Sequence, residues 1–394
     1  MKLFLPVGLA AAWCAAAADT AKPPVLPPPF HTPSASNPPK VIPQPDGVQL
    51  QVPQGFQVAE YAGGFEKPRY MAVGPSGEIL VSDSTPKGSV YVLIDKDKNF
   101  KPSERKKLIE GLDRPYGLAF WNQYLYVGEP GSIKRYKYDS QSMTVGAPEE
   151  VVSLAGMDKG HWTRTILFDK KAGKMYVSIG SQADVAPDVP EMRATICRFN
   201  PDGTGKEILA TGLRNPVGLD LYPGSSRLWA SVQERDNIGD DLVPDYFTHV
   251  EQGRFYGWPY AYIGPNEDPR NKGTHPELVA KTVVPDVVLP SHVAVMDARF
   301  YRGKMFPAKY RDGAFLAFRG SSNRSKRIGY SVVFVPFRKG QPMGSIEDLM
   351  TGFMLGEDKK EVWGRPVGLV EMRDGSLLVS DDGGKRIWRI SYKK

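Results

Sequence analysis

A strand–turn–strand unit recurs six times along this chain, and a repeat of that kind leaves few folds open. Residues 70–83 run strand, Gly-containing turn, strand, and end Leu80-Val81-Ser82-Asp83; residues 368–381 repeat the pattern and end Leu378-Val379-Ser380-Asp381. Weaker copies pair residues 117–120 with 125–128, 165–168 with 175–178, and 218–221 with 228–231. A degenerate sixth pairs 298–301 with 314–317. A third strand usually follows, as at 132–138 and 386–391, and most copies lie about 50 residues apart, enough for one four-stranded sheet. Six such sheets predict an all-β, six-bladed β-propeller over residues 48–394, since a closed ring exposes fewer sheet edges than a sandwich or solenoid. The long gap between Gly218 and Ala298 predicts an insertion around Tyr256-Gly257-Trp258-Pro259. The 40 glycines and 35 prolines suit an all-β chain with many turns.

Ahead of the repeats stand two different segments. Lys2 precedes an apolar, Ala-rich run ending near Ala18, the pattern of a secretory signal and too short to span a bilayer. We therefore expect residues 1–18 to be a signal peptide and the protein to be periplasmic or secreted, with no membrane span. Residues 19–47 are Pro-rich and lack apolar periodicity, which predicts an extended linker. Loss of the signal removes Cys14 and leaves Cys197 as the one cysteine, so no intrachain disulfide forms. Cys197 sits in an alternating strand pattern, as a buried thiol would. The net charge of +7 is spread along the chain, and the densest basic run is Arg105-Lys106-Lys107. Nucleic-acid binding, which needs clustered cations, is not expected.

The residues that introduce each copy form a second regularity. Lys67-Pro68-Arg69, Arg114-Pro115, Arg214-Asn215-Pro216 and Arg365-Pro366 each lead into a strand, and His161-Trp162-Thr163-Arg164 leads into another. Proline fixes φ and donates no hydrogen bond, which suits a strand entrance. In a propeller the innermost strands run side by side in one direction, so their entrances meet at one mouth of the central channel. Arg69, Arg114, Arg164, Arg214 and Arg365 should therefore gather near His161. A single arginine before a strand is ordinarily a solvated charge. Several together are unfavourable unless an anion receives them, and guanidinium groups grip carboxylates with two parallel bonds. A flat polyanionic ligand follows. No glycine-rich phosphate loop follows a strand, which excludes the usual NAD and ATP sites.

These residues resemble a known family. Residues 211–219 (Thr-Gly-Leu-Arg-Asn-Pro-Val-Gly-Leu), Gln233-Glu234-Arg235-Asp236 with Asp240-Asp241, and Tyr256-Gly257-Trp258-Pro259-Tyr260 are together similar to soluble sugar dehydrogenases that depend on pyrroloquinoline quinone (PQQ), in the sorbosone dehydrogenase branch. The likeness extends from about Pro53 to Tyr392 and includes residues 319–325 and 363–368. It implies that PQQ occupies the channel and that His161 is the general base that takes the sugar hydroxyl proton. Arg214 and Asn215 would stabilise charge at the reacting quinone oxygen. Arg69, Arg114, Asn323, Arg324 and Arg365 would complete the cofactor cradle. A calcium ion would rest on the backbone carbonyls of Glu234 and Arg235. Trp162, Tyr256 and Trp258 would form an aromatic wall for the sugar, although aromatics beside Gly and Pro also serve as packing for an insertion. In place of the Gly-Pro turn of soluble glucose dehydrogenases stands Glu234-Arg235; Arg319 and Ser322 flank Gly320 where the branch has His and Trp.

No Cys-x-x-Cys-His occurs, so there is no attached haem of the c type, and electrons pass to a separate acceptor, a cytochrome or a quinone. Two rival functions share the fold: a calcium-dependent lactonase, which needs several carboxylates at the mouth, and a non-catalytic extracellular binding propeller.

Overall fold

The computed structural model describes residues 24–187 and 189–393. Six sheets of four strands or more follow one another around a ring. The innermost strands are Pro68–Val73, Leu118–Trp121, Ile166–Asp169, Asn215–Leu221, Val295–Phe300 and Pro366–Glu371, and each neighbours the next, with the last returning to the first. These sheets are blades one to six, and the expected β-propeller is the observed fold.

Closure is made by the chain's two ends. Phe56–Gly63 is the outer strand of blade six and pairs antiparallel with Arg386–Tyr392, in the register Phe56 to Tyr392 and Gly63 to Arg386. The predicted insertion lies in blade four between Pro244–His249 and Val287–Ser291, and contains the short helix Pro276–Lys281. Among the described residues, no helix is long and apolar enough to cross a membrane.

Burial explains the sequence pattern. The second strand of blade one, Ile79–Asp83, is buried along its whole length because both faces of a blade pack on neighbours. The outer strand Glu104–Leu112 is largely exposed or half-buried. The core therefore lies between blades. Between blades four and five, Trp229 packs against Phe247, Phe300 and Phe337, with ring centroids 4.9 to 5.9 Å apart. Each such ring contributes about 1.5–3 kcal/mol. Cys197 is fully buried, and burial pushes its thiol up to about 11.

The Ser and acidic residue that end the repeat have a local cause. Inner strands bulge near their entrance, which leaves a backbone N–H without a ladder partner. The hydroxyl of the second-strand serine accepts it: Tyr70 N–H to Ser82 Oγ (3.0 Å), Gly218 N–H to Ser231 Oγ (3.1 Å), Gly368 N–H to Ser380 Oγ (2.8 Å). The following carboxylate accepts from the lead-in itself, as Asp83 does from Glu66 N–H (3.0 Å) and Asp381 from Arg365 N–H (2.6 Å). In blades one and six the repeat thus fixes where the lead-in residue stands.

The Pro-rich stretch departs from expectation. Its described part is packed on the propeller instead of hanging free as a linker. Phe30 N–H donates to Ile238 O (2.8 Å), Asn37 Nδ2 donates to Ser325 O (3.0 Å), and Lys40–Val41 pairs in parallel with Glu361–Val362. Residues 1–18, the expected signal, lie outside the described residues.

Candidate active site

The entrances of the inner strands converge on a cavity of about 160 Å³. His161, Arg214, Glu234, Asn323 and Arg365 line it as expected, joined by Gln233, Asp236, His292 and Arg319. A second hollow, of about 370 Å³, lies at the exits of the same strands. Between the two, Tyr70, Tyr116 and Arg299 fill the channel, with Tyr70 and Tyr116 centroids 5.5 Å apart and Arg299 5.2 Å over Tyr70. The channel is plugged, so a ligand enters the site from one mouth only.

His161 is held from both sides. Its backbone N–H and its Nδ1 both reach Ser181 O at 3.0 Å. A carbonyl oxygen only accepts, so Nδ1 carries the proton and Nε2 keeps the lone pair that a base needs. Burial, then the nearby Arg214 cation, press the imidazole down to about 3, so it stays neutral. Arg164 does not face the mouth as expected: it is fully buried and donates to His161 O (2.9 Å) and Thr163 O (2.8 Å). Arg193 does the same work with Gly180 O (3.1 Å) and Lys159 O (2.7 Å). Both pin the loop that carries the histidine. Gly180 lies where the site is tightest; a β-carbon there would come within 2.3 Å of Asn215 Oδ1 and 2.6 Å of His161 Cβ.

Arg214 donates through Nη1 to Glu234 O (2.6 Å) and through Nη2 to Asp184 Oδ1 (2.8 Å), with Asp236 Oδ2 at 3.8 Å. Asn215 donates to Gln233 Oε1 (2.9 Å), while its own Oδ1 is buried and, among the described residues, receives no donor. Asp236 is a hub that also bonds His292 (3.0 Å) and Asn323, which together hold its carboxyl below the usual range against the effect of burial.

Opposite stand three more guanidinium groups and one carboxylate. Asp382 pairs with Arg69 (2.7 Å) and Arg319 (2.9 Å). Arg365 reaches backbone oxygens, Arg319 O and Gly320 O at 3.2 Å, and pairs with no carboxylate among the described residues. Burial and the Arg319 charge lower it to about 10. This wall carries more positive than negative charge.

Arg69, Asn215 and Arg235 stand outside the cavity lining, and five other expected residues fall elsewhere. Arg114 is outside the cavity lining, paired with the adjacent Asp113 (2.8 Å) and lying 5.8 Å over Trp162. Arg324 bonds Asp240 O and Asp241 (2.8 Å), which places it behind the wall. Tyr256 is buried and donates to His249 O (2.9 Å), so its role is packing. Trp258 is also buried; its Nε1 donates to Asp184 O (2.8 Å) and anchors the partner of Arg214. Trp162 stands at the rim, 5.2 Å beneath Arg69.

The calcium expectation does not fit these residues. The Glu234 carbonyl is taken by Arg214, and the Arg235 carbonyl accepts Val243 N–H (3.3 Å). The Arg235 side chain is fully buried between Glu234 (3.0 Å) and Asp268 (2.9 Å). Among the described residues, no group of three or more His, Cys, Asp or Glu is arranged to hold a metal.

Asp184 and His292 were not singled out from the sequence, and Asp236 and Arg319 were named only within the motifs that carry the resemblance, without a role at the site. For His292 a signal existed: it leads into Val295–Phe300 just as His161 leads into blade three, but the degenerate copy at residues 298–301 hid the strand's true start.

Comparison with known proteins adds four findings. The family described as TrAA12-like matches residues 50–273 and 266–393. An uncharacterized protein of Borreliella burgdorferi is 30% identical over 88% of this chain and 91% of its own length. The pyrroloquinoline quinone-dependent pyranose dehydrogenase of Coprinopsis cinerea is 25% identical over 87% of this chain, which spans 54% of that protein. The holo form of the PQQ domain of the Coprinopsis cinerea pyranose dehydrogenase superposes with a TM-score of 0.77 at 23% identity, over 89% of this chain and 98% of that one.

Proposed function

The chain belongs to the TrAA12-like family, and from that premise we propose that it oxidises a sugar (an aldose, a ketoaldose such as sorbosone, or another pyranose) with PQQ held in the 160 Å³ cavity. The observation that carries this is a neutral histidine, its Nε2 free, facing an arginine wall short of carboxylates.

The residues suit PQQ on their own chemistry. Arg365 has only backbone partners, Arg69 and Arg319 share one carboxylate, and Asn215 Oδ1 is buried without a donor. Each shortfall is one that a ligand bearing several carboxylates and a ring N–H would make good. Arg69, Arg319 and Arg365 would bind its carboxylates, and Arg214 and Asn215 would lie toward its reacting edge. PQQ, when bound, would supply the two-electron acceptor.

The protein's part is orientation and proton management. His161 Nε2 takes the proton from the sugar hydroxyl as the adjoining C–H bond breaks. The Arg164 and Arg193 braces keep that nitrogen aimed at the cavity. Arg214, fixed between Glu234 O and Asp184, presents positive charge where negative charge develops and needs no reorganisation to do so. Tyr70 and Tyr116 close the floor and keep water from the far side out. The signal expected at residues 1–18 would put the reaction in the periplasm or outside the cell, with a separate cytochrome or quinone taking the electrons.

The test is reconstitution. Purified protein titrated with PQQ should show a saturable absorbance change and then reduce a dye when given sugars. His161→Gln should keep the absorbance change and lose dye reduction by about 100-fold or more. Full turnover in that variant, or no PQQ binding by the parent, refutes the proposal.

A further inference from the structure

The site holds a second histidine, and its surroundings differ from those of His161 in one decisive respect. His292 Nδ1 lies 3.0 Å from Asp236 Oδ1, and Nε2 lies 3.1 Å from Gly239 O. A carboxylate and a carbonyl both only accept. A neutral imidazole has one N–H, so one of these contacts would set a lone pair against an oxygen in a place that is 7% exposed. Two protons remove the conflict, and the resulting cation faces Asp236 directly.

We propose that His292 is a doubly protonated positioning residue that keeps Asp236 ionised and aimed, and through it sets the Arg214 guanidinium. This role rests on the oxidoreductase reading of the cavity, whereas the charge state of His292 does not.

The connections run one way through the wall. Asp236 receives His292, bonds Asn323, and stands 3.8 Å from Arg214 Nη2. Its backbone N–H donates to Asp184 Oδ1 (2.9 Å), the same oxygen that Arg214 grips. Were Asp236 to swing away, both partners of Arg214 on this side would shift together. The other charged group facing the histidine is Asp245, whose oxygens accept Glu234 N–H (2.9 Å) and Val295 N–H (3.2 Å). Burial raises its carboxyl to about 7, so it is largely ionised at pH 7.5 and there favours the second proton on His292.

The backbone is arranged to hold the imidazole there. His292 has φ of 65° and Ala294 of 54°, a left-handed conformation that a β-carbon disfavours and that surrounding contacts must impose. Gly320 N–H to Val293 O (2.9 Å) and Arg319 N–H to Ala294 O (3.0 Å) impose it. The N-terminal strap fixes the Gly239 carbonyl from outside: Phe30 N–H binds Ile238 O (2.8 Å), and Thr32 Oγ1 accepts Asp240 N–H (2.8 Å). The two lead-in histidines are thereby set in opposite states, His161 with one proton as a base and His292 with two as a fixed cation.

Ring-¹⁵N-labelled histidine in the full chain, without PQQ, reads the charge state directly. Five histidines give five resolvable sites, assigned by His292→Gln and confirmed by elimination with His→Gln changes at the other four. At pH 7.5 both His292 nitrogens should show the protonated signature, and His161 the neutral one. A neutral pattern at His292 overturns the proposal even if His292→Gln does not fold.

Kinetics then test the role. His292→Gln and Asp236→Asn should each lower kcat by roughly 100-fold, the scale of a displacement near 1 Å, with a smaller change in sugar KM. The double variant should be no slower than the worse single one, because one residue acts through the other. Multiplying losses would overturn the relay through Asp236. Absence of PQQ binding in the parent protein would instead sink the oxidoreductase reading and leave the ¹⁵N result standing.

Discussion

Gly180→Ala tests the geometry of the site with a single methyl group. Its φ is not in the left-handed region, so alanine adds no backbone strain, and the effect comes from space alone. The new Cβ would meet Asn215 Oδ1 at 2.3 Å and His161 Cβ at 2.6 Å, where ordinary contacts are about 3.5 Å. A displacement of about 1 Å must be shared between them. His161 is tied through its backbone N–H, its ring and two arginines, whereas Asn215 Oδ1 has no hydrogen bond to lose. Asn215 is therefore the group that gives way, at the expense of its bond to Gln233 (2.9 Å), a loss of about 1 kcal/mol. Overpacking adds about 1–3 kcal/mol, so the protein should still fold with a lowered Tm. With Asn215 turned from the ligand, kcat should fall about 100-fold. Dye-linked turnover of PQQ-loaded protein and a thermal melt of the same sample measure both. Wild-type kcat in a variant with the expected loss of Tm would refute the placement of Asn215 and His161 around one reacting centre.

Two further perturbations address the charges. Arg365→Met removes a buried cation that has no carboxylate partner, so stability without PQQ should change by no more than about 1 kcal/mol. PQQ affinity, read by absorbance titration, should fall about 10- to 100-fold, the loss of one charged hydrogen-bond contact, and an unchanged affinity would refute the cradle. The His161 ring resonance should not titrate between pH 8 and pH 4.5, since its folded value is near 3. That value is below the usual 6.5, so the unfolded chain binds this proton first; the associated stability is whole above pH 6.5 and drains as pH falls toward 3. A midpoint between 6 and 7 would show that the imidazole is not held by burial and Arg214 as described.

The rival readings meet the same wall. A lactonase needs carboxylates free to hold a cation at the mouth. Here Asp236 serves His292 and Asn323, Glu234 serves Arg235, and Asp382 serves two arginines. Among the described residues, the buried side-chain atoms left without a partner at the site are Arg69 Nε, Asn215 Oδ1 and Glu234 Oε1.

Periodicity alone determined the blades, their number and the position of the insertion in this protein. Blades one and six repeat the same solution to the same problem, a bulge N–H met by a serine and a lead-in loop met by an acid, and blades three and four keep the serine. The convergence of His161, Arg214 and Arg365 was also legible, because a ring forces its strand entrances together whatever their separation along the chain. Side-chain direction was not. Arg164 turned inward to brace its own loop and Tyr256 sank into packing, each on a carbonyl of its own neighbourhood, whereas Arg324 turned to Asp240 and Asp241 of a distant segment. The ladder of Phe56–Gly63 on Arg386–Tyr392 and the strap on residues 238–240 are likewise invisible to local pattern. A local rule says which residue stands at the mouth; the protons and bonds it carries there are set by acceptors that only the closed ring brings within 3 Å.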